Sequence, residues 1–293
     1  MPVVAVVNRK GGSGKSTLAA HLAAYCAHNG LPVMLGDVDK QQSTQAWLRL
    51  RSTQATVNRS PLVGWTVDPK SVLRAPTGVS HVVLDTPGGL RGFELARVAM
   101  FADAILMPVC NSVFDRESAA ACYAEMMTLP RIASGRCVVA AIGMRLDART
   151  KAAEVVQSWA EQQKLPFLGV LRETQNYVRC IERGLTLFDM PAAKVQDDLN
   201  QWAPIIDWLQ PILRPAPRAT EAAPVTAAPV PAPNGSRFDS LKPAQGSLSL
   251  NRDQTLEQLD KVAAAAAPPA RAGVMDRVGS LLGSLPVPRF LQR

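Results

Sequence analysis

The 293-residue chain carries 32 Lys and Arg against 24 Asp and Glu, a formal net charge of +8, with 47% hydrophobic and 5% aromatic residues. One or two domains fit that length, and the apolar content is ordinary for an α/β core. No run of about 18 apolar residues occurs and the N-terminus is not a charged-then-apolar signal, so the expected location is the cytoplasm.

The first apolar run, Val3 to Val7, leads into Arg9-Lys10-Gly11-Gly12-Ser13-Gly14-Lys15-Ser16-Thr17 and then into a helical stretch, Ser16 to His28. Strand, glycine-rich loop and helix in this order are the context of a phosphate-binding loop. The common pattern Gly-x-x-x-x-Gly-Lys-Ser/Thr is broken, because Arg9 occupies its first glycine position and a second lysine, Lys10, follows. Gly11, Gly12 and Gly14 permit the backbone turns that aim N–H groups at phosphate oxygens. Lys15 suits the β- and γ-phosphates and Ser16 suits Mg²⁺.

Further along, Val33 to Asp37 is an apolar strand ending in Asp37 and Asp39, followed by Lys40-Gln41-Gln42-Ser43-Thr44. Another strand, His81 to Leu84, ends in Asp85-Thr86-Pro87-Gly88-Gly89. Strands at Ala104 to Val109, Cys137 to Gly143 and Phe167 to Leu171 alternate with helices at Phe93 to Phe101, Asp115 to Met127 and Thr150 to Gln163. Such alternation predicts an α/β fold, a P-loop NTPase with a mostly parallel sheet and helices on both faces. In that fold ligands gather at the carboxyl ends of the strands, where the loop, the Asp pair and Asp85 would converge on one nucleotide.

After Leu213 the composition changes: 11 of the 23 prolines fall there. A Pro/Ala-rich sequence cannot bury a core. The expected organisation is a nucleotide-binding P-loop domain over 1–212, a flexible linker over 213–270 and a short amphipathic segment over 271–293. Within the last, Val274, Met275, Val278, Leu281, Leu282 and Leu285 share one face of a predicted helix. Three occupations compete for it: docking on a partner or cargo, lying on a membrane, or folding back on its own domain. Its polar face pairs Arg277 with Asp276, which disfavours the membrane.

The five cysteines, Cys26, Cys110, Cys122, Cys137 and Cys180, are scattered without a Cys-x-x-Cys pair and read as buried thiols. His21, His28 and His81 are likewise unclustered. The charge balance permits DNA binding, and Arg145, Arg149 and Lys151, with Arg172, Arg179 and Arg183, are candidate DNA contacts late in the core. Ordinary solvated or ion-paired arginines are the alternative. No recognition helix or zinc motif is evident, so any binding would be to the backbone.

Taken with their spacing, Lys10 to Thr17, Asp37 to Ser43 and Asp85 to Gly89 resemble the ParA/MinD group of deviant-Walker ATPases, and Met144 to Thr150 is a weaker echo. The resemblance covers about the first 210 residues and is strongest to the short ParA-type proteins. It implies ATP and Mg²⁺ as cofactors, with Gly11, Gly12, Ser13, Gly14, Lys15, Ser16 and Thr17 around the nucleotide. Lys10 matches the signature lysine that reaches the phosphates bound by a partner subunit, and Asp39 the residue that orients the attacking water. Lys15 keeps its standard phosphate-binding role and stands with Lys10 and Asp39 in the catalytic set. Asp85 matches a Mg²⁺ carboxylate; Asp37 either supports Mg²⁺ and the loop or caps a turn or helix. The implied protein is a slow ATPase, stimulated by a partner or cargo adaptor, that forms a homodimer on ATP, binds nucleoid DNA non-specifically and positions or segregates a plasmid, locus or protein assembly. The alternative is a MinD-type regulator cycling on membranes through its C-terminal helix.

Overall fold

The computed structural model describes residues 1–54, 58–66, 77–146 and 151–215. Seven strands, β1 (Val3–Val6), β2 (Val33–Asp37), β3 (Leu62–Thr66), β4 (His81–Asp85), β5 (Ala104–Val109), β6 (Val138–Met144) and β7 (Phe167–Leu171), form one sheet in the order β3-β2-β4-β1-β5-β6-β7. Every ladder is parallel. Eight helices are present among the described residues: α1 (Lys15–His28), α2 (Ser43–Arg51), α3 (Gly92–Phe101), α4 (Val113–Met127), α5 (Pro130–Ala133), α6 (Lys151–Gln162), α7 (Gln175–Glu182) and α8 (Ala192–Leu213). A 3-10 turn, Leu187–Asp189, precedes α8.

Period-two alternation divides the core. Val3, Ala5 and Val7 face a layer made by α3, α4, α5 and α6, with Leu95, Cys122, Ile132 and Trp159 in contact. Val4 and Val6 face the other layer, where α1, α2, α7 and α8 contribute Leu18, Trp47, Cys180 and Trp202. Both faces are covered, which is why the central strands are continuous apolar runs rather than alternating ones. The five cysteines are free thiols, four of them buried. Among the described residues no helix is long and apolar enough to cross a membrane.

The parallel sheet expected from the sequence is observed, with shifts of a residue or two at strand ends. β3 was not foreseen: Leu62-Val63-Gly64-Trp65-Thr66 is a short edge strand, half exposed and interrupted by glycine, so it lacks the apolar run of a central strand. The long α8 was also not foreseen. It carries Pro204 and Pro211 inside, which a sequence reading takes as breakers, yet Trp202, Ile205 and Leu209 are fully buried and packing outweighs the lost amides. Leu213 ends this helix buried, and its carbonyl lies 2.7 Å from His81 Nε2, so it belongs to the core rather than to a linker. The proposed linker and amphipathic segment from residue 216 onward lie outside the described residues.

Candidate nucleotide site

Register brings the three sequence segments together. Val6 is opposite Asp85 across the β1–β4 ladder, and Asp37 is opposite Asp85 across β2–β4. The glycine-rich loop, Asp37 and Asp85 thus leave neighbouring strands from a single row. Gly12 (φ 75°) and Gly14 (φ 91°) hold the left-handed backbone that lets the loop turn into α1, whose first amides have no partner inside the helix. Asn8 anchors the turn from below: its amide donates to the Pro108 carbonyl at 2.6 Å and its oxygen accepts from the Lys10 N–H at 2.9 Å.

Lys15 is buried, and its ammonium donates to the Lys10 carbonyl at 3.0 Å. Burial lowers its pKa, opposed by the charges of Asp85 and Asp39. Asp85 is fully buried, and neither carboxylate oxygen completes a hydrogen bond. Burial raises its pKa to about 7; the Ser16 hydroxyl opposes this, Asp37 adds to it, and Lys15 opposes it. The Ser13 hydroxyl is a second buried group with no partner. Orphaned buried polar atoms are rare, and a carboxylate left in this state beside a serine hydroxyl and a lysine is a fit for a divalent cation with phosphate. No cluster of three His, Cys, Asp or Glu occurs among the described residues.

Asp37 is occupied otherwise. One of its oxygens accepts from the Thr44 N–H (3.0 Å), the Thr44 hydroxyl (2.6 Å) and the Gln45 N–H (3.4 Å), and the other from the Asp39 N–H (3.0 Å). It caps α2 from across the loop, satisfying amides that Gln42, with φ 52°, does not cap through its side chain. These contacts are those of the turn- and cap-holding role, with the oxygen that faces Asp39 accepting a single N–H. Asp39 is half-exposed; one oxygen accepts from the Gln41 N–H at 3.0 Å. Lys10 projects an exposed side chain from the loop.

The basic candidates separate. Arg172 is ion-paired: its Nε donates to the buried Asp198 at 2.5 Å and Asp197 stands 3.8 Å from its Nη1. The ion-paired alternative describes its contacts. Arg145, Lys151, Arg179 and Arg183 are exposed. Arg145 (φ 58°) follows β6 with its N–H on the Leu171 carbonyl, Lys151 opens α6 in one layer, and Arg179 lies on α7 in the other with Arg183 at its C-cap. They flank the β6–β7 end of the sheet from both sides rather than sharing one helix face. Arg149 lies outside the described residues. Asn8, Thr44 and Glu125, which shape the site from the strand end, α2 and α4, carry no motif that sequence reading could have recognised.

Residues 4–187 match the model of the CobQ/CobB/MinD/ParA nucleotide binding domain. The chain belongs to this family. The fold is shared with solved structures: Cyanothece apo McdA aligns with a TM-score of 0.55 at 15% identity, covering 71% of this chain and 99% of that one. Among relatives, the maintenance of carboxysome distribution protein A of Halothiobacillus neapolitanus is 26% identical over 202 residues, 68% of this chain and 93% of that protein. The chromosome-partitioning ATPase Soj of Thermus thermophilus is 29% identical, but the match spans 42% of this chain and 60% of Soj. Protein ParA of Rhizobium radiobacter is matched over about half its length, 51%. The ParA-like segments singled out in the sequence fall inside the family match, and the parallel sheet agrees with the structural one.

Proposed function

We propose that this chain is an ATPase that dimerises on ATP, binds DNA without sequence preference and positions or segregates a cargo. The observation that carries the reading is the set of unsatisfied groups in one row of strand ends: the orphaned Asp85 carboxylate, the buried Lys15 whose ammonium rests on a loop carbonyl, and an exposed Lys10 on the same loop. The names of relatives that maintain carboxysome distribution or partition chromosomes support the positioning role.

In this reading Gly11 to Thr17 hold the phosphates through main-chain amides at the start of α1. Lys15 exchanges the Lys10 carbonyl for phosphate oxygens, recovering the charge pairing that burial denies it. Ser16 and Asp85 would hold Mg²⁺, which supplies neutralisation of charge on the phosphates. Asp39, adjacent to Asp37 and held by the Gln41 amide, keeps an oxygen to orient the attacking water. Lys10 reaches the phosphates of a second copy, so that hydrolysis depends on dimerisation; such a trans-acting cation contributes several powers of ten in related phosphoryl transfer. Turnover is slow and raised by a partner. Nucleoid association follows from phosphate contacts by the exposed Arg179 and Arg183 with Arg145 and Lys151.

An ATP-dependent gel shift on random-sequence duplex tests this reading. A shift with ATP, lost with ADP and weakened steeply by salt, is expected. No shift at low salt with ATP present would refute the DNA-binding part, and flotation of the full chain with liposomes would favour the membrane-cycling alternative instead.

A further inference from the structure

Arg9 stands where the common loop pattern has a glycine, and its main chain and side chain each reach a different neighbour. Its carbonyl accepts from the Gly89 N–H at 2.7 Å. Its guanidinium forms an ion pair with Glu125 on α4. The other oxygen of Glu125 accepts from the N–H of Gly92, the first residue of α3, at 2.5 Å. Glu125 therefore grips the Arg9 side chain from α4 with one oxygen and the start of α3 with the other.

What this grip tethers is the connection between β4 and α3, which starts at Asp85. That connection is glycine-rich, with Gly89 at φ 80° and Gly92 at φ 57°, and a Cβ on Gly88 would come within 3.5 Å of the Gly11 main chain. Glycines give such a segment little stiffness of its own, so its position has to come from outside contacts. On the other side of Arg9, the Lys10 N–H is fixed by Asn8 and its carbonyl by Lys15, which leaves only the side chain to project. The Arg9 and Glu125 side chains are 21% and 30% exposed, shielded enough to be more than a surface pair.

We infer that Arg9 and Glu125 are a positioning pair, which staples the β4–α3 connection to the phosphate loop and so fixes the Asp85 strand end and the direction in which Lys10 leaves the surface. The consequence for turnover rests on the proposed ATPase; the staple itself does not. Misplacing a group by about 1 Å from a distance costs up to about a hundredfold in rate, so an effect on kcat rather than on nucleotide affinity is the signature.

The test uses the full chain in two arms. In the first, Arg9→Gln, Glu125→Gln and the double variant are assayed for ATP turnover. Each single change is expected to lower kcat about tenfold while KM for ATP moves less than about threefold, the double to be no worse than either single, and Arg9→Lys to recover part of the loss. Unchanged kcat, multiplying losses, or a KM effect alone would overturn the pairing. In the second arm, amide hydrogen exchange at Gly89 and Gly92 is compared in nucleotide-free wild type and Glu125→Ala. Exchange at Gly92 at least about tenfold faster in the variant is expected, and equal rates would overturn the staple whatever the turnover data say. A wild type without turnover would refute the ATPase reading, and the exchange arm would still decide the staple.

Discussion

Buried polar groups behave in opposite ways at the two ends of α1. At its C-terminal end the buried Asp189 carboxylate is fully paired, although Nε of its partner Arg51 has no acceptor of its own. Both oxygens of Asp189 are taken by Arg51, with His28 on one and the Thr186 amide and hydroxyl on the other. Burial alone would raise the Asp189 pKa, but His28 and Arg51 hold it well below the usual range. Arg51 also stacks 5.2 Å from the Trp47 ring and donates to the Gly184 carbonyl. His21 lies among Tyr177, Phe188 and Trp202, with Nδ1 on the Thr17 carbonyl and Nε2 on the Leu187 N–H, and burial lowers its pKa to about 4. At the N-terminal end Asp85 and Ser13 have no such partners and Lys15 has only a backbone carbonyl. Buried carboxylates are paired where they hold the fold together, whereas the open one, Asp85, stands where a ligand can complete it.

This contrast can be broken by substitution on either side. Lys15→Ala should weaken ATP binding by at least about a hundredfold, since one buried cation facing phosphate is removed, while thermal stability hardly changes. Titration calorimetry or a fluorescent nucleotide checks it, and normal affinity would remove Lys15 from the site. Asp189→Ala should do the reverse: breaking a buried pair leaves Arg51 uncompensated at a cost of about 3–5 kcal/mol, with ATP affinity retained in the folded fraction. Denaturant unfolding reads that loss.

Asp85→Asn sharpens the comparison because it acts on both quantities. Removing an unsatisfied carboxylate should stabilise the nucleotide-free protein at pH 8 by about 1–3 kcal/mol, yet abolish Mg²⁺-dependent ATP binding. The pH dependence has a definite sign. With the folded pKa raised from 3.8 to about 7, the native state binds the extra proton between those values, so Asp85 costs stability progressively as pH rises through that window. Stability curves of wild type and Asp85→Asn, measured from pH 4 to 8 without nucleotide, should diverge towards high pH; parallel curves would contradict the shift. The smallest effect expected is on DNA: Arg179→Ala with Arg183→Ala should weaken ATP-dependent binding and lower its salt slope by about two, whereas Arg172→Ala, already ion-paired, should change the slope little.

The parallel sheet was legible because a strand buried on both faces is a continuous apolar run, and Val3 to Val7 or Ala104 to Val109 can hardly be read otherwise. The phosphate loop was legible for a different reason: glycine, lysine and serine at fixed spacing are demanded by backbone conformation and charge. β3 and α8 were not legible, since an edge strand loses its pattern and the prolines of α8 are tolerated only through tertiary packing. Asp37 and Arg172 show the limit at the site. Residue type and spacing place a carboxylate or a guanidinium at the carboxyl edge, but whether Thr44 or Asp198 has already claimed it depends on contacts between segments far apart in sequence. Glu125 was invisible for the same reason.

The central claim is that the open groups at this edge are completed by ATP and by a second copy reaching in with Lys10. Turnover per chain, measured against protein concentration at saturating Mg²⁺ and ATP, tests it most directly. Wild type should rise with concentration towards a plateau, while Lys10→Ala stays low and flat with ATP affinity unchanged. Turnover per chain that is independent of concentration, and equal in wild type and Lys10→Ala, would contradict it.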